Sequence, residues 1–333
     1  QLFIVDTKTN TLVNTLQETE TLVTIARPPV TLAGKINGQE KGIHILNPGQ
    51  QVTFGLNMTN NLASQIQDAK ITAAITGNAF SDRTIKTKGF YDSRKKEVVW
   101  QKTDVPFLES FTAGASGLVE AQFQILPSDQ LAGRVVDPQM NLAFDFDGAT
   151  FDFENNSKPT VSSGSTIIKV PTELGLQTRV LHSIGPFTNT GSIELVPDTT
   201  SQYTIVWKVT NSTSITKDIE VQAVLPPYVE FIQASETTGT VFEYNPETRK
   251  VAWTIDELAP GAGYGTKAGA ETTFQVSVTP SVQQIGQFID FTQNQTMKGF
   301  DTFTNTARLY TKLDSVTSRS LAADPAAPPG ADR

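Results

Sequence analysis

Apolar residues fall along this chain in short alternating runs. Val52, Phe54, Leu56 and Met58 form one; Ile71, Ala73 and Ile75 another; Val119, Ala121, Phe123 and Ile125 a third. The later half answers with Tyr203, Ile205, Trp207 and Val209, then Ile219, Val221, Ala223 and Leu225, then Phe274, Val276 and Val278. An extended chain points successive side chains to opposite faces, so period two over four to eight residues predicts strands with one face in a core and one in water. The breaks between runs carry turn formers, as at Asn47-Pro48-Gly49, Thr112-Ala113-Gly114, Pro226-Pro227 and Ala259-Pro260-Gly261. No helix beyond a turn or two is predicted. Short, evenly spaced strands with polar turns predict an all-β chain of tandem antiparallel immunoglobulin-like β-sandwiches.

The pattern also repeats. Val52-Thr-Phe-Gly-Leu-Asn-Met-Thr-Asn60 recurs as Tyr203-Thr-Ile-Val-Trp-Lys-Val-Thr-Asn211, its last residue 151 positions on. Tyr91-Asp-Ser with Val99-Trp100 is answered by Tyr244-Asn-Pro with Ala252-Trp253, the tryptophans 153 apart. Two diverged copies of one module are expected, which suits 333 residues at about 150 per domain. Pro28-Pro29 and Pro171 stand at corresponding joints, giving sandwiches at 28–170 and 171–313. Proline fixes its own φ and restricts the residue before it, so the joints should be stiff and the modules end to end. The Ala- and Pro-rich stretch 314–333 reads as a disordered tail or linker. Residues 1–27 sit where Met140 to Ile168 sit before the second joint, as the closing strands of a preceding repeat would. The alternative is a donor segment: two strands cannot bury a core alone, and Leu12, Leu16, Leu22, Val23 and Ile25 offer apolar side chains to a neighbour's open sheet edge.

Each Tyr-to-Trp segment reads as a hairpin, turning at Asp92-Ser-Arg-Lys and Asn245-Pro-Glu-Thr. The tryptophans are expected to anchor the inner sheet face, with a sugar-stacking platform as the alternative. A net charge of -8 opposes binding to phosphate backbones, so nucleic acid is excluded as a partner. Cysteine is absent, which removes disulfides, thiolate metal sites and a catalytic thiol. No run approaches the roughly 18 apolar residues needed to span a bilayer, so no direct membrane insertion by this segment is expected. The first residue is Gln1 rather than Met, as in a processed or excised segment.

Ser183-Ile-Gly-Pro-Phe-Thr-Asn-Thr-Gly191, Tyr203 to Asn211, Tyr244-Asn-Pro-Glu-Thr and Gly261-Ala-Gly-Tyr-Gly265 resemble the membrane-distal repeats of large surface proteins in candidate-phyla bacteria, a conserved-repeat family of unknown function. Gly89-Phe-Tyr91 and Ala113-Gly-Ala-Ser-Gly117 resemble the same family in the first module. The resemblance covers about residues 28 to 330. It implies an immunoglobulin-like sandwich array, extracellular at the cell envelope, with no assigned activity.

Candidate chemistry is sparse. His44 and His182 stand alone, without Cys, Asp or Glu at metal spacing. No nucleophile elbow, phosphate loop or dinucleotide fingerprint is present, and Gly261-Ala-Gly-Tyr-Gly265 precedes a strand rather than a helix that could hold an anion. The densest acidic cluster is Asp145, Asp147, Asp152 and Glu154, whose oxygens could bind Ca²⁺. The Gly there follows the first Asp by three residues rather than five, unlike an EF-hand. The competing reading is a hairpin turning at Asp147-Gly148, with Phe144, Phe146, Phe151 and Phe153 inward and the acids in water. Sequons at Asn57, Asn155, Asn211 and Asn294 are what an Asn- and Thr-rich chain yields by chance.

These observations point to a non-enzymatic structural segment of an extracellular surface protein, a stiff stalk or a surface-layer or filament building block, with no cofactor. Its partners are then neighbouring repeats or copies of itself. The alternative is a carbohydrate- or matrix-binding adhesion module, with surface glycans as partners and Phe90, Tyr91 and Tyr264 as candidate contact rings.

Overall fold

The computed structural model describes residues 2–6, 8–9, 11–17, 27–151 and 156–327. Strands β1 (Leu2–Asp6) and β2 (Thr11–Gln17) pair with each other, and with no other strand among the described residues.

The first sandwich contains β3 (Val30–Ile36), β4 (Ile43–Ile45), β5 (Gln51–Asn60), β6 (Ile66–Gly77), β7 (Phe80–Thr87), β8 (Phe90–Asp92), β9 (Glu97–Trp100), β10 (Ser110–Phe111), β11 (Ser116–Ile125), the single helical turn α1 (Ser128–Leu131), β12 (Gln139–Phe151) and β13 (Ser157–Lys169). One sheet runs β3-β5-β11-β7 and the facing sheet β4-β13-β12-β6-β9-β8, with β10 added on β6. The alternating apolar runs bury as their period requires: Val52, Phe54, Leu56, Ile71, Ala73, Ile75, Val119, Phe123 and Ile125 form one core around Trp100.

The second sandwich contains β14 (Leu174–Leu181), β15 (Ser201–Asn211), β16 (Thr216–Val224), β17 (Val229–Ala234), β18 (Thr240–Asn245), β19 (Lys250–Leu258), β20 (Ala270–Val278), β21 (Gln293–Asp301) and β22 (Thr306–Tyr310). Its sheets run β14-β15-β20-β17 and β18-β19-β16-β21-β22, over a separate core around Trp207, Trp253, Tyr203 and Phe274. Nine strands in each half follow the same order in the same two sheets, and β4 and β10 are additions to the first. The likeness extends to single bonds. Asp92 Oδ1 accepts from the N–H groups of Arg94 and Lys95, as Asn245 Oδ1 does from Glu247 and Thr248. The hairpins then close at Lys96 and Arg249, at φ 57° and 56°.

Three expectations need correction and one an exception. The β12–β13 hairpin does not turn at Asp147-Gly148: pairing continues through Asp147↔Val161 and Gly148↔Thr160 to Phe151↔Ser157. The sequence misleads because a turn-forming dipeptide sits inside a strand whose neighbours hold it, and a Cβ on Gly148 would come 2.5 Å from Ile66. Phe144 and Phe146 are buried, but Phe151 falls on the other parity and is 40% exposed. Second, the sandwiches are antiparallel as expected, with the exception of β4, which joins the edge of β13 in parallel. That strand is only three residues long, and its polarity is inverted, with His44 inward and Ile43 and Ile45 outward, so periodicity conceals it. Third, residues 314–327 are not a free tail. Val316 and Leu321 enter the second core, and Ser318–Ala323 form a 3-10 turn against β14. Two apolar anchors five residues apart carry no periodic signal, and the Ala and Pro that follow them mimic a linker. Fourth, the second sandwich therefore extends past residue 313; residues 328–333 lie outside the described residues.

Candidate functional site

The most heavily built polar site lies where the two sandwiches meet. Val170 is fully buried, and Thr172, the first residue beyond Pro171, has no exposed surface. Its hydroxyl donates to Asn211 Oδ1 at 2.6 Å and accepts from Thr213 N at 3.0 Å, while its N–H donates to Asp301 Oδ2 at 2.9 Å. Asp301 is fully buried. It also accepts from the N–H groups of Phe303 and Thr304 and from the Thr304 hydroxyl at 2.8 Å. A carboxylate without water costs several kcal/mol unless donors replace its hydration, and here four neutral donors do so.

Direct contacts cross the joint. Lys169 Nζ donates to Phe303 O at 3.0 Å and lies 4.4 Å from the Phe303 ring centroid. Gly133 N donates to Ser212 O at 3.0 Å, and Asp137 N to Thr213 O at 3.1 Å. Gly133 has φ 69°, and a Cβ there would sit 2.6 Å from Tyr264 Cβ, so both conformation and space require glycine. Gly261-Ala-Gly-Tyr-Gly265 is thus a loop facing the joint. Gly261 and Gly263 turn it at φ 77° and 85°, and β20 follows it rather than a helix.

A second feature lies on the side of the second sandwich. Residues 235–239 connect edge strands β17 and β18, one from each sheet, and a groove of about 870 Å³ opens between them. Phe231 stacks on Tyr244 at 4.7 Å and on Phe242 at 5.9 Å, and Phe242 continues inward to Phe274. Glu236 stands exposed at the rim of the groove. In the first sandwich only Lys88 and Gly89 join the equivalent strands β7 and β8. There the chain packs so closely that a Cβ on Gly89 would lie 2.3 Å from Val99 O. Phe90, beside that connection, is 67% exposed.

The residues singled out from sequence are dispersed. Asp145 and Asp147 are exposed on one face of β12, and Asp152 and Glu154 lie outside the described residues. No group of three metal-ligating side chains occurs among the described residues. His44 is buried with Nε2 donating to Lys41 O at 3.0 Å, and burial lowers its pKa. His182 packs edge-on to Tyr203, whose hydroxyl burial pushes up to about 12. Trp100, Trp207 and Trp253 are all fully buried and serve as core anchors rather than sugar platforms. Tyr91 is half-buried with its hydroxyl enclosed. Of the sequons, Asn211 is buried with Nδ2 donating to Ser214, Leu258 and Ala259 carbonyls, which leaves it inaccessible to a glycan. Asn57 is half-buried on β5, Asn294 is exposed, and Asn155 lies outside the described residues.

One repeat escaped the strand pattern because it is mostly polar. Pro127-Ser128-Asp129-Gln130-Leu131-Ala132-Gly133 recurs as Pro280-Ser281-Val282-Gln283-Gln284-Ile285-Gly286, in the 153-residue register of the tryptophans. That register, applied to turns as well as strands, would have found it.

A scan against models of known protein families finds no match, and neither does a comparison with curated protein sequences. Among solved structures, the C-terminal domain of the AgI/II polypeptide BspA from Streptococcus agalactiae aligns over 87% of this chain and 99% of its own, at 12% identity and TM-score 0.30. The C-terminal domain of the antigen I/II-family protein AspA from Streptococcus pyogenes aligns over 87% and 97%, at 10% identity and TM-score 0.32. BcpA, the major pilin subunit of Bacillus cereus, aligns over 86% and 65%, at 10% identity and TM-score 0.30. Among the described residues no helix is long and apolar enough to cross a membrane.

Proposed function

We propose that this chain is a non-enzymatic structural segment of an extracellular cell-surface protein, in which two copies of one sandwich are coupled as a stiff stalk or as a building block of a surface layer or filament. The buried joint carries the reading. A flexible tether would have no use for a fully buried Thr172 and Asp301 that fix the residue after Pro171 onto the second sandwich, or for Lys169, Gly133 and Asp137 of the first bonded to Phe303, Ser212 and Thr213 of the second, because ordering them costs entropy that only a fixed geometry returns. Membership of the conserved-repeat surface family belongs to the same proposal and rests on the sequence strings that resemble it. Small-angle scattering should give an elongated particle about two sandwiches long. A compact particle with the sandwiches side by side overturns the reading.

The groove between β17 and β18 supports a second reading, a carbohydrate- or matrix-binding adhesion module, because it offers stacked rings beside Thr237, Thr238 and Glu236. Binding on a glycan array that Tyr244→Ala and Phe231→Ala abolish would support it; an array without binding would leave the structural reading alone.

For residues 1–27 we retain the closing hairpin of a preceding repeat, with donor exchange as its rival. Deleting 1–26 with unchanged melting and particle mass supports the first, whereas unfolding of the modules or loss of polymers supports a segment that completes a sheet in this assembly, as a remnant paired to its own first module or as a donor to a neighbour.

A further inference from the structure

The recurring heptapeptide has one copy in use and one idle. In the first sandwich it spans the connection from β11 to β12 and forms the knuckle of the joint: an extended residue at Pro127 (ψ 162°), one helical turn, an extended residue at Ala132 (φ -58°, ψ 124°), then Gly133 at positive φ. In the second sandwich it spans the corresponding connection, from β20 to β21, enters its turn one residue later at Ser281 (ψ 160°), makes a shorter 3-10 turn, and leaves in the same register and backbone at Ile285 (φ -58°, ψ 130°) and Gly286 (φ 74°). Gly133 is pressed against Tyr264 and bonded to Ser212 O, whereas a Cβ on Gly286 would meet nothing within 4 Å. Two apolar side chains on this second knuckle face solvent, Val282 at 55% exposed and Ile285 at 66%, and Phe288 beside them is 41% exposed with the Arg319 guanidinium 4.4 Å from its ring centroid.

The surface that receives the first knuckle also has a twin. Ser212 follows Asn211 at the turn after β15, and Asn61 follows Asn60 at the turn after β5. Asn211 N donates to Ala262 O and Ser212 N to Glu173 O, matched by Asn60 N to Ala115 O and Asn61 N to Pro29 O. Both asparagine amides donate to three loop carbonyls, from Asn211 to Ser214, Leu258 and Ala259, and from Asn60 to Ser64, Phe111 and Thr112. Among the described residues, the knuckle at the far end of the second sandwich thus docks on no other sandwich, and the near end of the first carries an equivalent of the receiving turn.

We propose that the Ser281–Phe288 knuckle docks on the Asn61–Gln65 turn of a second copy of this chain, repeating the internal joint between molecules, with Gly286 N directed at Asn61 O. The inference rests on the structural reading above and names its partner. Because the two surfaces differ, the contact is head to tail, and because they lie at opposite ends of a stiff rod, it cannot fold back on itself and propagates as a filament. One turn against one loop buries less than about 1,200 Å², the weak class of interface, so association is expected at roughly 0.1–1 mM.

Sedimentation of the full chain over that range tests it. The expected result is a mass that rises with concentration beyond a dimer. Ile285→Glu should weaken association about tenfold or more with unchanged melting, and Ala63→Arg on the receiving turn should act alike. Mixing these two variants, each blocked at one end, should restore a dimer and nothing larger. Leu309→Glu, on exposed edge strand β22, should change nothing. A chain monomeric throughout, association indifferent to Ile285→Glu, or association abolished by Leu309→Glu, which would place the contact on the sheet edge, each overturns the proposal. Scattering of the dilute monomer reads the stalk separately, so a failed filament and a failed stalk are distinguishable.

Discussion

The near ends of the two sandwiches begin from the same device and finish differently. At each, one buried asparagine ties the turn after the second long strand to a neighbouring loop through three carbonyls, so the tie belongs to the fold. Around Asn60 little else is added: its Oδ1 accepts from Leu62 N. Around Asn211 the hydroxyls of Thr172 and Thr216 converge, Ser212 bonds Thr172, and Asp301 closes the cluster. Among the described residues, another sandwich abuts the second near end and none abuts the first. The buried polar cluster therefore goes with the joint, since the first sandwich has the asparagine tie and not the cluster.

The comparison can be broken by removing each asparagine. Asn211→Ala strands three buried carbonyls and two hydroxyl donors and should cost the second sandwich about 3–5 kcal/mol, against about 2–4 kcal/mol for Asn60→Ala in the first. Trp100 reports on the first core and Trp207 and Trp253 on the second, so denaturation followed by fluorescence in Trp100→Phe and Trp207→Phe/Trp253→Phe backgrounds separates the two. Equal losses would remove the distinction. Next in size, Asp301→Ala leaves the N–H groups of Thr172, Phe303 and Thr304 unanswered and should cost about 2–3 kcal/mol; a first sandwich that melts unchanged while the joint loosens would sharpen the claim.

Much of this was legible in the sequence, and the limits have physical causes. Every alternating run became a strand with the expected face buried, because period two and burial are the same fact seen twice. Tyr203 to Asn211 and Val52 to Asn60 even ended on the asparagines that tie the loops. What escaped depends on contacts distant in the chain. Nothing local marks Asp301 as buried, since its donors come from Thr172 and the following turn. The Asp147-Gly148 dipeptide signals a turn that the strands on either side forbid, and Val316 and Leu321 are anchors too few to make a pattern. The groove follows from a loop five residues long where its counterpart has two, a difference visible in sequence only once the strands are placed.

Asp324 supplies a pH test confined to the second sandwich. Burial raises its pKa, but hydrogen bonds from the Ser183 hydroxyl and the N–H groups of His182, Ala326 and Ser183 outweigh this and hold it at about 2. A depressed folded-state pKa stabilises above the unfolded value near 4 and loses that stability as pH falls from about 4 through 2. The second sandwich should therefore lose roughly 1–2 kcal/mol across that window, and Asp324→Asn should flatten the dependence in melting curves. The smallest effect is expected of Lys169→Met, which removes one hydrogen bond and one cation–π contact at the joint, about 1 kcal/mol.

The stiffness of the joint is the central claim, and the chain offers a clean way to measure it. With no native cysteine, spin labels at Leu118→Cys on the first sandwich and Val241→Cys on the second, both exposed, attach only there. Double electron–electron resonance should return one narrow distance distribution, broadened when Asp301→Ala is added. A broad distribution in the otherwise unaltered chain, unchanged by Asp301→Ala, would show that the sandwiches swing freely and would contradict the account.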